Sequence, residues 1–410
     1  MRFAALDGWR GLCALLVCLY HFNVVVMWWL RAEPLLLHSF LFVDFFFVLS
    51  GFVISHSYAA RISDRQALAR FMLRRFGRLW PLHLAVLTGW LVLEFAALAA
   101  RPFVGHFSVN EPFTGPNSLP ALLANLLLLQ SFGLFDLLTW NGPSWSIAAE
   151  FWAYLLFGLF CLSPGRRSSM ALLLAAIGAG TMALLSPRLM DATYDYGFFR
   201  CVYGFFLGHL IYELRTHGAI GERILRHHGN NLEAAVLLLV GFFVYGAGRN
   251  PLSFGAPLVF ALVVYIFSFE AGFLSRILAR PPFRQLGRWS YSIYMVHALL
   301  VQILIYAVRL AERSTGARLG VRALGDHGET YVIWLGSDYA MAVLALAYVA
   351  AVLVTASITY RMVEEPARLY FNALASRKAA ASADPTSPAA EELASAGLAT
   401  AAVIPRRHQT

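Results

Sequence analysis

The chain has 410 residues, 59% of them hydrophobic and only 13% charged, about half the charged share of a soluble domain. That composition excludes a water-soluble globule and places the chain in a membrane. Its net charge of +9 does not call for nucleic acid, because the basic residues are scattered between apolar runs rather than gathered on one face, as membrane topology requires.

Apolar stretches of about 17 to 25 residues recur along the sequence, the length that spans about 30 Å of hydrocarbon as a helix. They are too long and too uniformly apolar for barrel strands. The fold class is therefore all-α, a polytopic membrane helical bundle of about ten transmembrane helices with both termini cytoplasmic. The first apolar run follows Arg10 without a small-residue cleavage site, so it is an uncleaved crossing and not a signal peptide. Crossings are predicted at 10–30, 40–58, 80–100, 143–163, 169–187, 198–214, 231–247, 254–270, 289–310 and 335–360.

The stretch 119–138 is apolar but is bounded by Pro120 and by Asn141-Gly142-Pro143, which predicts a re-entrant or interfacial segment rather than a crossing. Positive charge supports this choice. With ten crossings most of the 32 basic residues, including the sextet Arg61, Arg65, Arg70, Arg74, Arg75 and Arg78, fall on one side, with the N-terminus. Cys13, Cys18, Cys161 and Cys201 all lie in apolar runs without metal-type spacing, so they read as buried thiols, and neither a metal nor a resident cofactor is expected.

Ionisable residues within crossings cost about 2.5 to 3.5 kcal/mol each on insertion, which makes each of them a functional candidate. They are His21, Asp44, His83, Glu94, Glu150, Arg200, His209 and His297. His21 follows Arg10 by eleven residues, about three helical turns, so the two share one helix face about 16 Å apart. Such a face suits an extended donor, its anionic part on the guanidinium and its reactive end at an imidazole that titrates near neutrality. Ser146 and Glu150 lie four apart on one face at the outer end of the fourth crossing. A serine nucleophile there lacks a neighbouring His, so Glu150 is the stronger candidate, orienting a base or binding a sugar hydroxyl. Asp44, toward the outer side of the second crossing, suits either role. The run from Arg70 to Arg78 suits a phosphate-bearing donor as well as a stop-transfer signal, since arginine contacts phosphate bidentately.

Taken together, the motifs resemble those of the acyltransferase-3 family of bacterial membrane acyltransferases. They run from Leu6-Asp7-Gly8-Trp9-Arg10-Gly11-Leu12 with Tyr20-His21, through Phe45-Phe46-Phe47-Val48-Leu49-Ser50-Gly51-Phe52 and Arg74-Arg75-Phe76-Gly77-Arg78-Leu79-Trp80-Pro81, to Trp145-Ser146-Ile147-Ala148-Ala149-Glu150. Arg200 with Gly204 and Gly208, Ser290-Tyr291-Ser292-Ile293-Tyr294-Met295-Val296-His297, and Glu364-Glu365-Pro366 complete the series. Each is weak alone, and their order over residues 6 to 366 is specific. Phe151 departs from a second acid common after Glu150, and Trp9 from the commoner Leu.

Beyond Phe371 the chain turns to Ala, Ser and Pro with few large apolar residues, so 371–410 is expected to be a disordered cytoplasmic tail. The resemblance implies a transmembrane acyltransferase domain over 1–370. It implies acyl transfer from cytoplasmic acyl-coenzyme A to a surface or secreted carbohydrate in the bacterial inner membrane, with His21 as catalytic candidate. Glu150 and Asp44 are further catalytic candidates, Arg10, Arg75 and Arg78 donor-binding ones, and Ser146, Arg200 and His297 additional ones. Many members carry a soluble hydrolase-like domain after the bundle; none follows here, so transfer is expected to be completed by the bundle or by a separate protein. The rival readings are a transporter or flippase of a lipid-linked sugar, with the buried charges lining its path, and a non-catalytic membrane scaffold, which leaves His21 and Glu150 without purpose.

Overall fold

The computed structural model describes residues 3–104, 111–325 and 328–382. In chain order its helices are α1 Ala4–Val25, α2 Pro34–Leu37, α3 Phe42–Tyr58, α4 Arg65–Val104, α5 Leu119–Leu126, α6 Trp145–Leu162, α7 Arg167–Leu185, α8 Gly197–His217 and α9 Ala219–Ala247. They continue as α10 Ala256–Phe267, α11 Phe273–Leu278, α12 Pro281–Thr315, α13 Asp338–Thr359 and α14 Glu365–Ser382. Among the described residues, eight helical segments are long and apolar enough to cross a membrane. Outward-facing Leu184, Phe242 and Leu346 are 84%, 74% and 72% exposed, an apolar exterior that hydrocarbon covers and water does not.

Two predicted crossings do not meet that length and apolarity. The helix α8 carries Arg200, Glu213 and Arg215, yet it is among the most buried elements, packed against α3 and α7. The short α10 is preceded by a 3-10 turn at Pro251–Gly255 and has a largely buried face against α3, α8 and α9.

The stretch 119–138, read from the sequence as entering without crossing, is not among the described helices long and apolar enough to span a membrane. Helix α5 ends within two turns, and Leu128 takes a left-handed φ of 57°. Carbonyls freed there would be costly inside a bilayer unless donors reach them. The His83 ring bonds the Asn125 carbonyl at 2.9 Å, the Trp80 indole donates to Leu126 at 3.1 Å, and the Trp152 indole donates to Leu128 at 2.8 Å. Further on, the Asn141 amide donates to the Met295 carbonyl of α12 at 3.1 Å. That contact ties the far end of this segment to α12. Single cysteines at the exposed Glu111 and Asp136, in a protein freed of its native cysteines, are expected to react with an impermeant thiol reagent from the same side of sealed vesicles. Labelling from opposite sides would make the segment a crossing. Asn141 itself is buried and is no reporter, and Asn110 lies outside the described residues.

Two features depart from a purely helical reading. Strands β1 Gly320–Gly325 and β2 Gly328–Ile333 pair antiparallel in the link between α12 and α13, and Ile333 also accepts the Met27 amide at 2.9 Å after α1. The pairing is stabilised by that distant edge, which short-range pattern does not reveal. A π-helical turn over Tyr360–Glu364 joins α13 to α14, so the helix continues through Ser382, past the predicted start of the tail. Residues 383–410 lie outside the described ones.

Helix α1 packs most extensively on α12. The approach is at backbone distance: a Cβ on Gly11 would meet Leu286 and Gly287, and one on Gly287 would meet the Asp7 carbonyl. This contact brings the first histidine of the chain to the last one inside the bundle.

Candidate active site

A cavity of about 710 Å³ opens between α1, α3, α4, α6, α12 and α14, within the range of pockets that take a cofactor-sized ligand. Arg10, Arg74, Arg75, Arg78, Arg288 and Arg368 line it, against the four carboxylates Asp7, Glu150, Glu364 and Glu365. Several of these charges are already paired. Arg10 lies 3.6 Å from Asp7, and Arg78 lies 3.9 Å from Glu364, which also accepts the Ser292 hydroxyl at 2.7 Å. The Arg75 guanidinium sits over the rings of Tyr58 and Tyr154 at 5.3 and 5.8 Å. The Nε atoms of Arg74 and Arg75 are buried without a hydrogen-bond partner. Unpaired buried donors of this kind are costly unless a ligand supplies acceptors.

On the facing wall, Ser146, Glu150 and Tyr154 form an i, i+4, i+8 stripe along α6. The Glu150 carboxylate accepts the Ser50 hydroxyl and the Tyr154 hydroxyl, both at 2.5 Å. Sequence reading set Glu150 at the outer end of its crossing. In the structure it shares the cavity with Arg10 and Arg75, and the preceding turn Gly142–Ser144 is packed inside the bundle with Pro143 and Ser144 buried. Ser146 bonds the Tyr294 hydroxyl at 2.7 Å and the Pro143 carbonyl at 3.1 Å. No imidazole reaches it among the described contacts, so this serine lacks the base that a nucleophile needs.

The cavity ends at Phe46, Ser146 and Tyr294. Beyond Tyr294, whose ring is 5.6 Å from that of His297, lies the imidazole pair His297 and His21, with ring centroids 4.7 Å apart. His21 Nδ1 lies 2.9 Å from the Val17 carbonyl and 3.2 Å from His297 Nε2. A carbonyl only accepts, so Nδ1 of His21 carries the proton, and the His297 nitrogen meets it with its lone pair. That leaves Nε2 of His21 with a free lone pair, the atom able to take a proton or attack an acyl carbon. Arg10 lines the cavity and His21 does not. The face they share on α1 thus leads from the charged chamber to the imidazole pair behind Tyr294, rather than lining a single chamber.

Asp44 and Arg200 stand apart from both. Arg200 donates to both Asp44 oxygens at 2.9 and 2.8 Å and to the carbonyls of Ala192 and Phe40 at 3.1 Å each. Both are essentially inaccessible, and neither lines the cavity. With four bonds from the one guanidinium, the pair holds α3, α8 and the chain before α8 together. His209 is similarly engaged with Ser55 at 2.8 Å and Glu213 at 3.2 Å, and Glu94 bonds the Phe113 amide and Asn117 at 3.0 and 2.6 Å.

Sequence reasoning did not single out Tyr154, Tyr294, Glu364 or Arg368 as site residues. Extending the Ser146 to Glu150 phase by one more turn finds Tyr154. Glu364 and Tyr294 lay within quoted motifs, with no local signal for what they touch.

A protein-family model described as an acyltransferase domain matches residues 3–361. The chain is 23% identical over 386 residues to the peptidoglycan O-acetyltransferase OatA of Listeria monocytogenes, a match covering 89% of this chain and 55% of that protein. It is 26% identical over 350 residues to the acyltransferase MdmB of Streptomyces mycarofaciens, covering 79% of each. The chain thus spans about half the length of the Listeria protein. No solved structure is significantly similar to it. With nearly the whole bundle inside the family match, from the Asp7-Arg10 turn to the π-helical turn below the cavity, the chain belongs to the acyltransferase-3 family.

Proposed function

We propose that this chain is an O-acyltransferase of the bacterial inner membrane, moving an acetyl group from cytoplasmic acyl-coenzyme A to a hydroxyl of a surface or secreted carbohydrate. The observation that carries the donor half is the arginine-lined cavity, with the Nε atoms of Arg74 and Arg75 buried and unpaired. Guanidinium groups in that number fit the phosphates of a nucleotide-bearing thioester. The relatives' printed names, a peptidoglycan O-acetyltransferase and an acyltransferase, support the acyl-transfer half and a glycan acceptor such as lipopolysaccharide or exopolysaccharide.

In this reading α8 and α10 complete ten crossings, and the arginine end of the bundle faces the cytoplasm with both termini. The donor lies in the cavity with its phosphates at Arg75 and Arg78, and its thioester passes Ser146 and Tyr294 to reach His21. Nε2 of His21 takes the proton of the acceptor hydroxyl as that oxygen attacks the thioester carbonyl, and the thiolate leaves. Alternatively, Nε2 attacks first and hands on the acyl group from an acyl-imidazole. Either route uses the same lone pair, freed by the Val17 carbonyl at Nδ1.

Purified protein in detergent is expected to consume acetyl-coenzyme A in a saturable way and to label a glycan acceptor extracted from its host. A transporter of lipid-linked sugar needs a sealed membrane and consumes no thioester. Folded protein that binds glycan but leaves acetyl-coenzyme A intact would sink the proposal.

A further inference from the structure

The family match ends at residue 361, but the cavity does not. Arg368 and Asn372 of α14 line it together with Tyr360 and Glu365. They are four residues apart, one helical turn, and Ser376 continues the same stripe one turn further. Ser376 meets the Arg74 guanidinium at 3.5 Å, so the stripe runs along the arginine segment of α4.

Helix α14 is fixed in that position. Gly77 stands between Arg74 and Arg78, and a Cβ there would collide with the Cβ and ring of Phe371, so the Phe371 side chain packs directly on the α4 backbone. The Phe371 ring also packs edge-on against Phe76 at 5.7 Å. Arg368 donates to Glu365 through Nε at 2.9 Å and Nη2 at 2.6 Å, and Glu365 also accepts the Tyr360 hydroxyl at 3.2 Å. That pairing orients the guanidinium and leaves the Nη1 donors outside it. Arg368 is 37% exposed, which places it at the wet mouth of the cavity rather than at its deep end beside Tyr294.

We propose that α14 is a donor-reading element: Arg368 and Asn372 bind the nucleotide end of the acyl donor, while the pantetheine arm and thioester extend inward. This rests on the reading of the donor as a nucleotide-bearing thioester. A charged residue at the mouth and an amide one turn away suit phosphate and a polar base or ribose. A thioester without the nucleotide lacks the phosphates, ribose and base that these contacts would take.

The test compares two probes on full-length protein in detergent, acetyl-coenzyme A and S-acetylpantetheine, which lacks the nucleotide. Arg368→Ala and Asn372→Ala are expected to raise the Kd for acetyl-coenzyme A, about tenfold for the arginine as one charge-assisted contact is lost, and to leave the Kd for S-acetylpantetheine unchanged. Arg368→Lys is expected to recover part of the loss, since charge returns without the planar fork. If the variants weaken both probes equally, α14 is only a structural brace. If they weaken neither, the mouth does not touch the donor. Either result overturns this inference while leaving the donor reading standing. Should the unmodified protein itself bind the two probes equally well, both fall together.

Discussion

Replacing His21 with alanine is expected to lower acyl transfer by about three orders of magnitude, within the range of a lost general base, while donor affinity stays close to that of the unmodified protein. The separation of effects follows from position. The donor cavity is lined by Arg10 and the α4 arginines and ends at Tyr294, and His21 lies behind it. Truncating His21 removes its bonds to the Val17 carbonyl and to His297, each worth about 1 kcal/mol. The folded state should persist, and this is checked by thermal unfolding beside the rate measurement. Near-normal transfer by a well-folded His21→Ala protein would remove the imidazole from the chemistry and with it both proposed routes.

The double variant Arg75→Ala with Arg78→Ala is expected to weaken acyl-coenzyme A binding by about a hundredfold, since each charge-assisted contact contributes about 1.5 kcal/mol or more. The single variants are expected to differ in kind. Arg75 stacks on Tyr58 and Tyr154 and has an unpaired Nε, so its loss should appear in donor affinity alone. Arg78 neutralises Glu364, which is 2% exposed. Its removal strands a buried carboxylate, so Arg78→Ala should also lower thermal stability. A donor titration and an unfolding scan on each variant make the comparison. Unchanged affinity in the double variant would reduce the arginine run to a topological signal.

Legibility in the sequence followed the range of the interaction. Apolar runs and the arginine sextet are local, and the helices they predict are present, as is the short helix at 119–126 broken off before the turn at Asn141-Gly142-Pro143. Helical phase along one element was also readable, and it linked Ser146 to Glu150. What joins distant elements was not. His21 and His297 are 276 residues apart and meet because Gly11 and Gly287 allow α1 and α12 to touch. Asp44 was read as free to act, but Arg200 of α8 had already taken both its oxygens. Nothing within four residues of either announces that choice. That Glu150 shares a cavity with Arg10 and Arg75 was hidden for a related reason, since it depends on how α1, α4 and α6 come together.

The Asp44 to Arg200 pair also constrains how the chain is made. As a crossing, α8 carries a guanidinium that costs about 3 kcal/mol to place alone in hydrocarbon, and its length and apolarity do not identify it as a span. Asp44 emerges from the ribosome first, in a helix apolar enough to enter the bilayer unaided. Meeting that carboxylate lowers the cost for the later helix, because a neutralised, hydrogen-bonded guanidinium has lost much of its reason to stay in water. If α8 is a crossing, its entry is eased by α3 already being in place, with a separation of 156 residues between the two members of the pair.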